Sequence, residues 1–419
     1  MSLRRNFVWT AAGNVIYAGC QWGMIAVLAK LGSPEWVGQF ALGLALTAPV
    51  LLLTNLQLRS VQATDAGDEF EFGHYLAVRL ITAAFAAVII LAIILVSRLN
   101  TTVALVTAAV GIAKIVESIS DAFYGLQQKH ERMDRIATSL IIRGVLSLAA
   151  FAVIVYLRHD VFSGVLAMAI VWLAVLLVYD LRSARHLVGF GLRPLWNLPR
   201  LRTLAFIAAP LGVVMMLNSL NVNIPRYALQ YLSGTHDVGI FAAIAYLQVA
   251  EGAIVNALGQ SATPRLARSF AQHQPSTFWS LMKRLIALGT VGGSLGVVLA
   301  ALAGPALLTL LYRAEYAAYS STFTWLMVGT VFANISAFAG YGLTAARSFR
   351  IQIPLLAGES IILVVACMLL IPAYGLRGAA IGYVAAKIFL TGSRFWLLGR
   401  IARSGHVLDR ESVLMSNGS

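Results

Sequence analysis

Twelve apolar runs, each of 20 residues or more, follow one another along the chain with short connections between them. They occupy about 7–29, 37–57, 75–97, 102–126, 136–157, 161–181, 203–230, 238–262, 285–311, 321–345, 351–371 and 379–398. A helix needs about 20 apolar residues to cross the hydrocarbon, a barrel strand only about 9–11. Backbone polar groups in lipid must also pair within their own segment. The pattern predicts an all-α integral membrane protein of about 12 transmembrane helices. Charged residues make up 11% of the chain, against about 25% in soluble domains, and this excludes an ordinary soluble enzyme.

The net charge of +14 would suggest nucleic acid in a soluble protein. Here the basic residues lie between apolar runs, so the charge is read as topology and no nucleic-acid partner is expected. The termini and even-numbered connections carry 20 Lys and Arg; the odd-numbered connections and their edges carry five. That asymmetry predicts a multi-pass protein with both termini in the cytoplasm. The first run follows Arg4 and Arg5 without an early small-residue cleavage pattern, and is expected to be a retained span. Cys20 and Cys367 both fall in apolar runs and give no disulfide framework or metal spacing. No cofactor, metal or catalytic group is expected. No connection on the face opposite the termini exceeds ten residues, which leaves no room there for a folded soluble domain.

A long connection, 182–202, divides the runs six and six. The two halves repeat at a shift of 201: Val37-Gly38-Gln39-Phe40-Ala41 matches Val238-Gly239-Ile240-Phe241-Ala242. Expected units are a six-helix lobe at 1–195, a second at 196–400, and a cytoplasmic tail at 401–419. Six spans per repeat insert in the same orientation, so the lobes should be related by an axis along the membrane normal.

A charge at mid-bilayer costs at least about 2.5–3.5 kcal/mol and normally faces a wet cavity, a partner or a headgroup. Arg79 and Arg394 lie near span ends and are expected to snorkel to the surface. Lys114, Arg143, Lys387 and Glu359 lie deeper; they are candidates for cavity lining or for internal pairing. In the fourth run, Lys114, Glu117, Asp121 and Tyr124 share one helical face. Lys114 can pair with Glu117, while Asp121 has no local partner. This face reads equally as an intrahelical ion pair or as a polar cavity wall. The seventh run carries Asn218, Asn221, Pro225 and Arg226. Pro225 is expected to kink or break the helix and turn freed carbonyls toward a cavity. Arg59, with Gln57 and Gln62, ends the second run as a topology signal or as the mouth of a path. Candidate substrate or cavity contacts are thus Arg59, Lys114, Arg143, Arg226, Lys387, Asn218, Asn221 and Tyr124. Candidates for ion coupling or for pairing those bases are Glu117, Asp121, Glu251 and Glu359. Glu359 with Lys387 is a plausible pair between the last two spans. A cationic interior suits a phosphate or diphosphate.

The six-plus-six arrangement, the basic amino terminus and four segments together resemble the polysaccharide-flippase branch of the MOP (multidrug/oligosaccharidyl-lipid/polysaccharide) exporter superfamily. The segments are the VGQFA turn before the second span, NLQLRSVQATD after it, KIVESISDAFYGLQQKHERM in the fourth, and NIPRYALQYL with VGIFAA across the seventh and eighth. The resemblance, to Wzx-type O-antigen and exopolysaccharide flippases, implies a MATE-like fold of two six-helix lobes around a partly cationic cavity. It implies translocation of an undecaprenyl-diphosphate-linked oligosaccharide between leaflets of the bacterial inner membrane by alternating access. Membrane lipids and other polysaccharide-assembly proteins are the further partners it suggests. Two rivals stand beside it. A drug or cation antiporter of the same fold would need an acidic cavity. A polysaccharide polymerase or glycosyltransferase would need a sizeable extracytoplasmic loop.

Overall fold

The computed structural model describes residues 3–65, 69–188, 192–272, 274–346 and 351–404, and every regular element among them is helical. In the first half these are α1 (Leu3–Leu31), α2 (Pro34–Asn55), α3 (Leu58–Thr64), α4 (Phe72–Val96), α5 (Thr101–Lys129) and α6 (Met133–Arg158). Next, α7 (Val161–Val175) runs through a π-helical turn, Leu176–Asp180, into α8 (Leu181–Val188). After the central connection come α9 (Leu198–Leu232), α10 (Thr235–Tyr246), α11 (Gln248–Ala271), α12 (Pro275–Leu311), α13 (Ser320–Ala345), α14 (Gln352–Tyr374) and α15 (Leu376–Ser404). Among the described residues, ten stretches are long and apolar enough to cross a bilayer. The other two expected spans are also helical: one is interrupted at Leu247 between α10 and α11, and the other is α15, which carries several basic residues. Two helix starts are capped by side chains: those of Asn100 and Asp160 accept from Val103 N and Ser163 N at 2.8 and 2.7 Å.

Two local expectations need correction. The second run ends two residues early, because Leu56 and Gln57 take left-handed backbone angles (φ 52° and 51°). That reversal costs both residues some strain, and it folds α3 back onto α5, carrying Arg59 with it. Pro225 does not break its helix: α9 continues through both Pro210 and Pro225. Side-chain amides supply nearby carbonyls with donors, Asn218 to Val214 O at 2.9 Å and Asn223 to Ser219 O at 2.8 Å. Neither carbonyl is the one Pro225 frees, which belongs to Asn221 four residues earlier; the helix keeps its course without that bond.

Contacts divide the chain into two units, Met1–Ala243 with Leu311–Arg313, and Ile244–Leu310 with Ala314–Ser419. In the first, α1 packs on α6, α6 on α7, and α2 lies between α5 and α9. Unit 1 therefore runs past the central connection at 182–202. Its core holds Trp172 and the tilted ring pair Phe40–Phe151, 5.7 Å apart. In the second, α13 packs on α11 and α15, and α14 on α15, around Phe278, Met282, Phe338 and Leu343. Large apolar side chains such as Val88, Val96, Leu302 and Leu310 point outward, as expected where the solvent is lipid.

The internal repeat has a spatial counterpart within unit 1. A Cβ on Gly38 would lie 2.0 Å from Thr235 O, and one on Gly239 would lie 1.8 Å from Pro34 O. Positions 34 and 235, and positions 38 and 239, are repeat equivalents. The start of α2 and the start of α10 thus meet reciprocally, each glycine under the other helix's first turn.

The turn after α3 is held by Asp65. Its carboxylate accepts from Glu69 N at 3.0 Å, Phe70 N at 3.2 Å and the Tyr75 hydroxyl at 3.1 Å, and lies 3.7 Å from Lys129 Nζ. Burial pushes this carboxyl up, but those donors and the lysine outweigh it and hold it below the usual carboxylate range. A group depressed in the folded state stabilises above its unfolded value, about 3.9, and loses that contribution as the pH falls through the folded one. The Glu69 and Phe70 amides are therefore expected to stay protected from hydrogen exchange near neutrality and to lose protection below about pH 4. Asp65→Asn should weaken that protection at every pH and flatten the dependence. A wild-type profile already flat from pH 7 to 3 would show that Asp65 does not hold the turn.

Candidate functional site

Unit 1 carries a continuous polar network inside an otherwise apolar bundle, and ion pairs around three carboxylates organise it. The first lies on α5, where Lys114 Nζ meets Glu117 Oε2 at 2.8 Å, as its spacing predicts. Glu117 also accepts from the Tyr17 hydroxyl of α1 at 2.5 Å, and the Lys114 ammonium stands 5.2 Å from the Trp172 ring centroid. The second answers the missing partner of Asp121: Arg59 of α3 reaches it at 3.4 Å and Arg79 of α4 at 3.3 Å. Arg59 donates further to Gln128 at 2.8 Å, and Arg79 to Ser118 at 3.2 Å and to Asn55. Arg79 is fully buried, so the expectation that it snorkels is wrong. It lies on a helix face turned inward, where Asp121, Ser118 and Asn55 solvate its guanidinium.

The third pair was not foreseen. Asp180 closes the π-helical turn between α7 and α8 and meets Arg143 Nη2 at 3.0 Å, both side chains wholly enclosed. Ser139 donates to the same carboxylate at 2.5 Å, and Arg143 donates to Ser120 at 2.5 Å. The Arg143 guanidinium lies 5.6 Å from the ring centroids of both Tyr124 and Trp172. Arg143 and Tyr124 are therefore not accessible contacts as expected; they form the packed floor beneath the other two pairs. The Tyr124 hydroxyl is 2.8 Å from Ser139 Oγ, and its ring is also stacked by Arg59 at 5.6 Å. Asp180 escaped notice because it lies at the edge of an apolar run. A π turn inserts one extra residue and rotates that edge inward; no sequence feature announces the turn.

Exposure separates the network into two tiers. Arg143 and Asp180 are closed off, whereas the side chains of Arg59, Lys114, Glu117 and Asp121 remain a quarter to a third exposed. One of the three N–H donors of Lys114 is taken by Glu117, and Arg59 uses two of its five. The open tier thus presents spare charged donors. Across both tiers four bases, Arg59, Arg79, Lys114 and Arg143, stand against three acids.

The α9 candidates separate. Asn221 is buried, Asn218 bonds its own helix, and Arg226 Nη1 donates to Asn223 Oδ1 at 2.8 Å. The Tyr227 hydroxyl donates to Ala45 O of α2. Unit 2 holds smaller polar clusters. Lys387 and Glu359 pair at 2.5 Å between α15 and α14, as anticipated, with Tyr383 beside the ammonium at 5.4 Å. Glu251 accepts from the buried Asn334 amide. Arg394, the second arginine expected to snorkel, instead donates to Ser336 O at 2.8 Å and Ser336 Oγ at 3.0 Å. Among the described residues no His, Cys, Asp and Glu group has a metal-holding arrangement.

Residues 3–270 match the family described as polysaccharide biosynthesis protein. A curated relative, the capsular polysaccharide biosynthesis protein CapF of Staphylococcus aureus, is 27% identical over 401 residues, covering 95% of this chain and 99% of its own. Among solved structures, the inward-facing conformation of a multidrug resistance MATE family transporter of the MOP superfamily superposes with a TM-score of 0.71 at 13% identity, covering 98% of this chain and 97% of that one. A MOP superfamily transporter from Pyrococcus furiosus, whose binding pocket is described as of reverse polarity, gives 0.66 at 14% identity, over 95% and 94%. The fold is MATE-like.

Proposed function

Because the chain belongs to the polysaccharide biosynthesis protein family, we propose that it is a flippase that moves polyprenyl-diphosphate-linked oligosaccharide repeat units across the bacterial cytoplasmic membrane. The reading goes beyond family and fold to a lipid-linked substrate, to alternating access between the two repeat halves, and to cytoplasmic termini. The observation that carries it is the open tier of unit 1, where Arg59 and Lys114 keep charged donors free although each is already paired. A diphosphate can take those donors without breaking either pair, and charge-assisted bonds of this kind are the strong ones. The glycan cannot enter hydrocarbon, whereas its lipid tail can remain there, so the protein need shelter only the polar part. The excess of bases over acids disfavours the cation-antiporter reading. The short connections give a polymerase or glycosyltransferase no place to present acceptor and donor.

Mass spectrometry of polyprenyl-linked lipids in a strain lacking the protein, with a surface-polysaccharide assay, tests the reading. Complete lipid-linked repeat units should accumulate while surface polymer disappears. The glycan found would say whether the polymer is capsular, as the relative's name has it, or O-antigen. Unchanged lipids with normal polymer would overturn the assignment and redirect testing to drug susceptibility.

A site prediction follows from the same tier. Lys114→Ala should cut export by roughly tenfold or more, the scale of one lost charge-assisted contact of about 1.5–3 kcal/mol. Lys114→Arg should retain most of it. Normal export by both variants at equal protein level would remove Lys114 from the path.

A further inference from the structure

Away from the polar network, the connection leading into α9 folds over the first turn of α4. Leu195 N donates to Gly73 O at 2.9 Å. A Cβ on Gly73 would meet Arg193 O at 2.6 Å, so only glycine lets the connection approach this closely. The fold-over leaves a cavity of about 480 Å3 lined by Glu71, His74, Leu195, Trp196, Asn197 and Arg200, a volume within the range of small-ligand sites, about 300–1,000 Å3.

We propose that this cavity binds the headgroup of a membrane phospholipid carrying both a phosphate and a primary ammonium. His74 is 3% exposed, lines the cavity, and its Nδ1 has no hydrogen-bond partner among the described residues. A buried polar nitrogen left unpaired is costly, and a headgroup oxygen would relieve that cost. Arg200 and Glu71 are exposed, and neither is ion-paired among the described residues. Arg200 stands in the first turn of α9, whose amide end is itself attractive to phosphate; Asn197 caps that turn from 3.4 Å. Glu71 supplies the opposite sign at the same cavity. A simple anion would be attracted by Arg200 and repelled by Glu71, whereas a zwitterion satisfies both. Trp196, 63% exposed, offers a ring face to the ammonium and is the residue type that settles at a membrane–water boundary. Along α9 from the cavity, Phe206 and Ile207 face outward, so the site opens where the lipid-facing surface begins. Nothing in it depends on what the chain transports.

Native mass spectrometry of the purified full chain in detergent tests the site. The probes are dioleoyl phosphatidylethanolamine and dioleoyl phosphatidylglycerol, with soluble phosphoethanolamine and inorganic phosphate as competitors. The wild type should retain one phosphatidylethanolamine molecule roughly tenfold more tightly than phosphatidylglycerol, the scale of one added ionic contact. Phosphoethanolamine should displace it and inorganic phosphate should not. Arg200→Gln should weaken retention of both lipids; Glu71→Gln should abolish the preference. Both side chains are exposed, so an unchanged melting temperature is expected in both variants. Equal retention of the two lipids by the wild type, an arm that needs no variant, would overturn the proposal. Displacement by inorganic phosphate would also overturn it, reducing the cavity to a free-anion site. So would unchanged retention by a well-folded Arg200→Gln variant, or an unchanged lipid preference in a well-folded Glu71→Gln variant.

Discussion

Asp180→Ala should destabilise the protein by about 3–5 kcal/mol, the cost of stripping one partner from a buried ion pair, and should lower the melting temperature by roughly 3–6 °C. The reason lies in what remains. Arg143 would keep its charge in a fully enclosed site, left with Ser120, two aromatic rings and the more distant Glu117 carboxylate as compensation. Ser139 would lose its acceptor and retain only Tyr124. The effect should spread to the open tier, because Tyr124 is stacked by Arg59 on that side. The double replacement Arg143→Met with Asp180→Leu separates stability from function. It removes both charges, and well-packed apolar pairs in such sites are often neutral or stabilising. It should therefore recover most of the melting temperature. Export should recover with it if Arg143 acts only as the floor of the site. Export that stays low in a stable double variant would mean that Arg143 meets the substrate in some state of the cycle. A single Asp180→Ala variant as stable as the wild type would show that the pair is not the keystone of the network.

How far the sequence reached depends on how local each feature is. The spans were legible because each is a continuous run whose composition alone decides its solvent. The Lys114–Glu117 pair was legible because both residues stand on one helix at a fixed spacing. Asp121 was recognised as lacking a local partner, yet its partners lie on α3 and α4, and no periodicity docks two helices. The same limit misplaced Arg79 and Arg394: nearness to a span end says that a side chain can reach the surface, not that its face points there. Three features were beyond any composition rule. The left-handed reversal at Leu56–Gln57 is made by residues with no turn signature. The π turn before Leu181 is made by an ordinary apolar stretch. The continuity of α9 past Pro225 is the third: a proline in a membrane helix can be tolerated as well as kink or break it, and its presence alone does not say which. Glu359 with Lys387 shows the favourable case, in which two deep charges of opposite sign on sequential spans had few other places to go.

The reciprocal glycine contact carries the second large effect. Gly38→Ala or Gly239→Ala should force the starts of α2 and α10 apart, because the new methyl would meet a backbone carbonyl at 2.0 or 1.8 Å. A flexible side chain could rotate out of the way; a carbonyl inside a helical turn cannot. Overpacking in well-packed sites costs about 1–3 kcal/mol, and the absence of a soft neighbour puts this pair at the upper end. The two variants report one shared contact, so combining them should cost little more than either alone. Gly19→Ala is the matched control: a Cβ there meets nothing within 4 Å, and alanine in a helix is favoured over glycine by about 0.5–1 kcal/mol. Thiol labelling of a Thr235→Cys reporter measures the separation, and the native Cys20 and Cys367 are buried enough to leave a low background. Labelling should rise severalfold in either glycine variant and remain at the parent level in Gly19→Ala. If the contact is needed for transport, a variant that cannot form it should lose export even though the ion pairs of unit 1 persist. Parent-level labelling and export in both glycine variants would mean that the two helix ends have room to spare and that the reciprocal contact is incidental to transport.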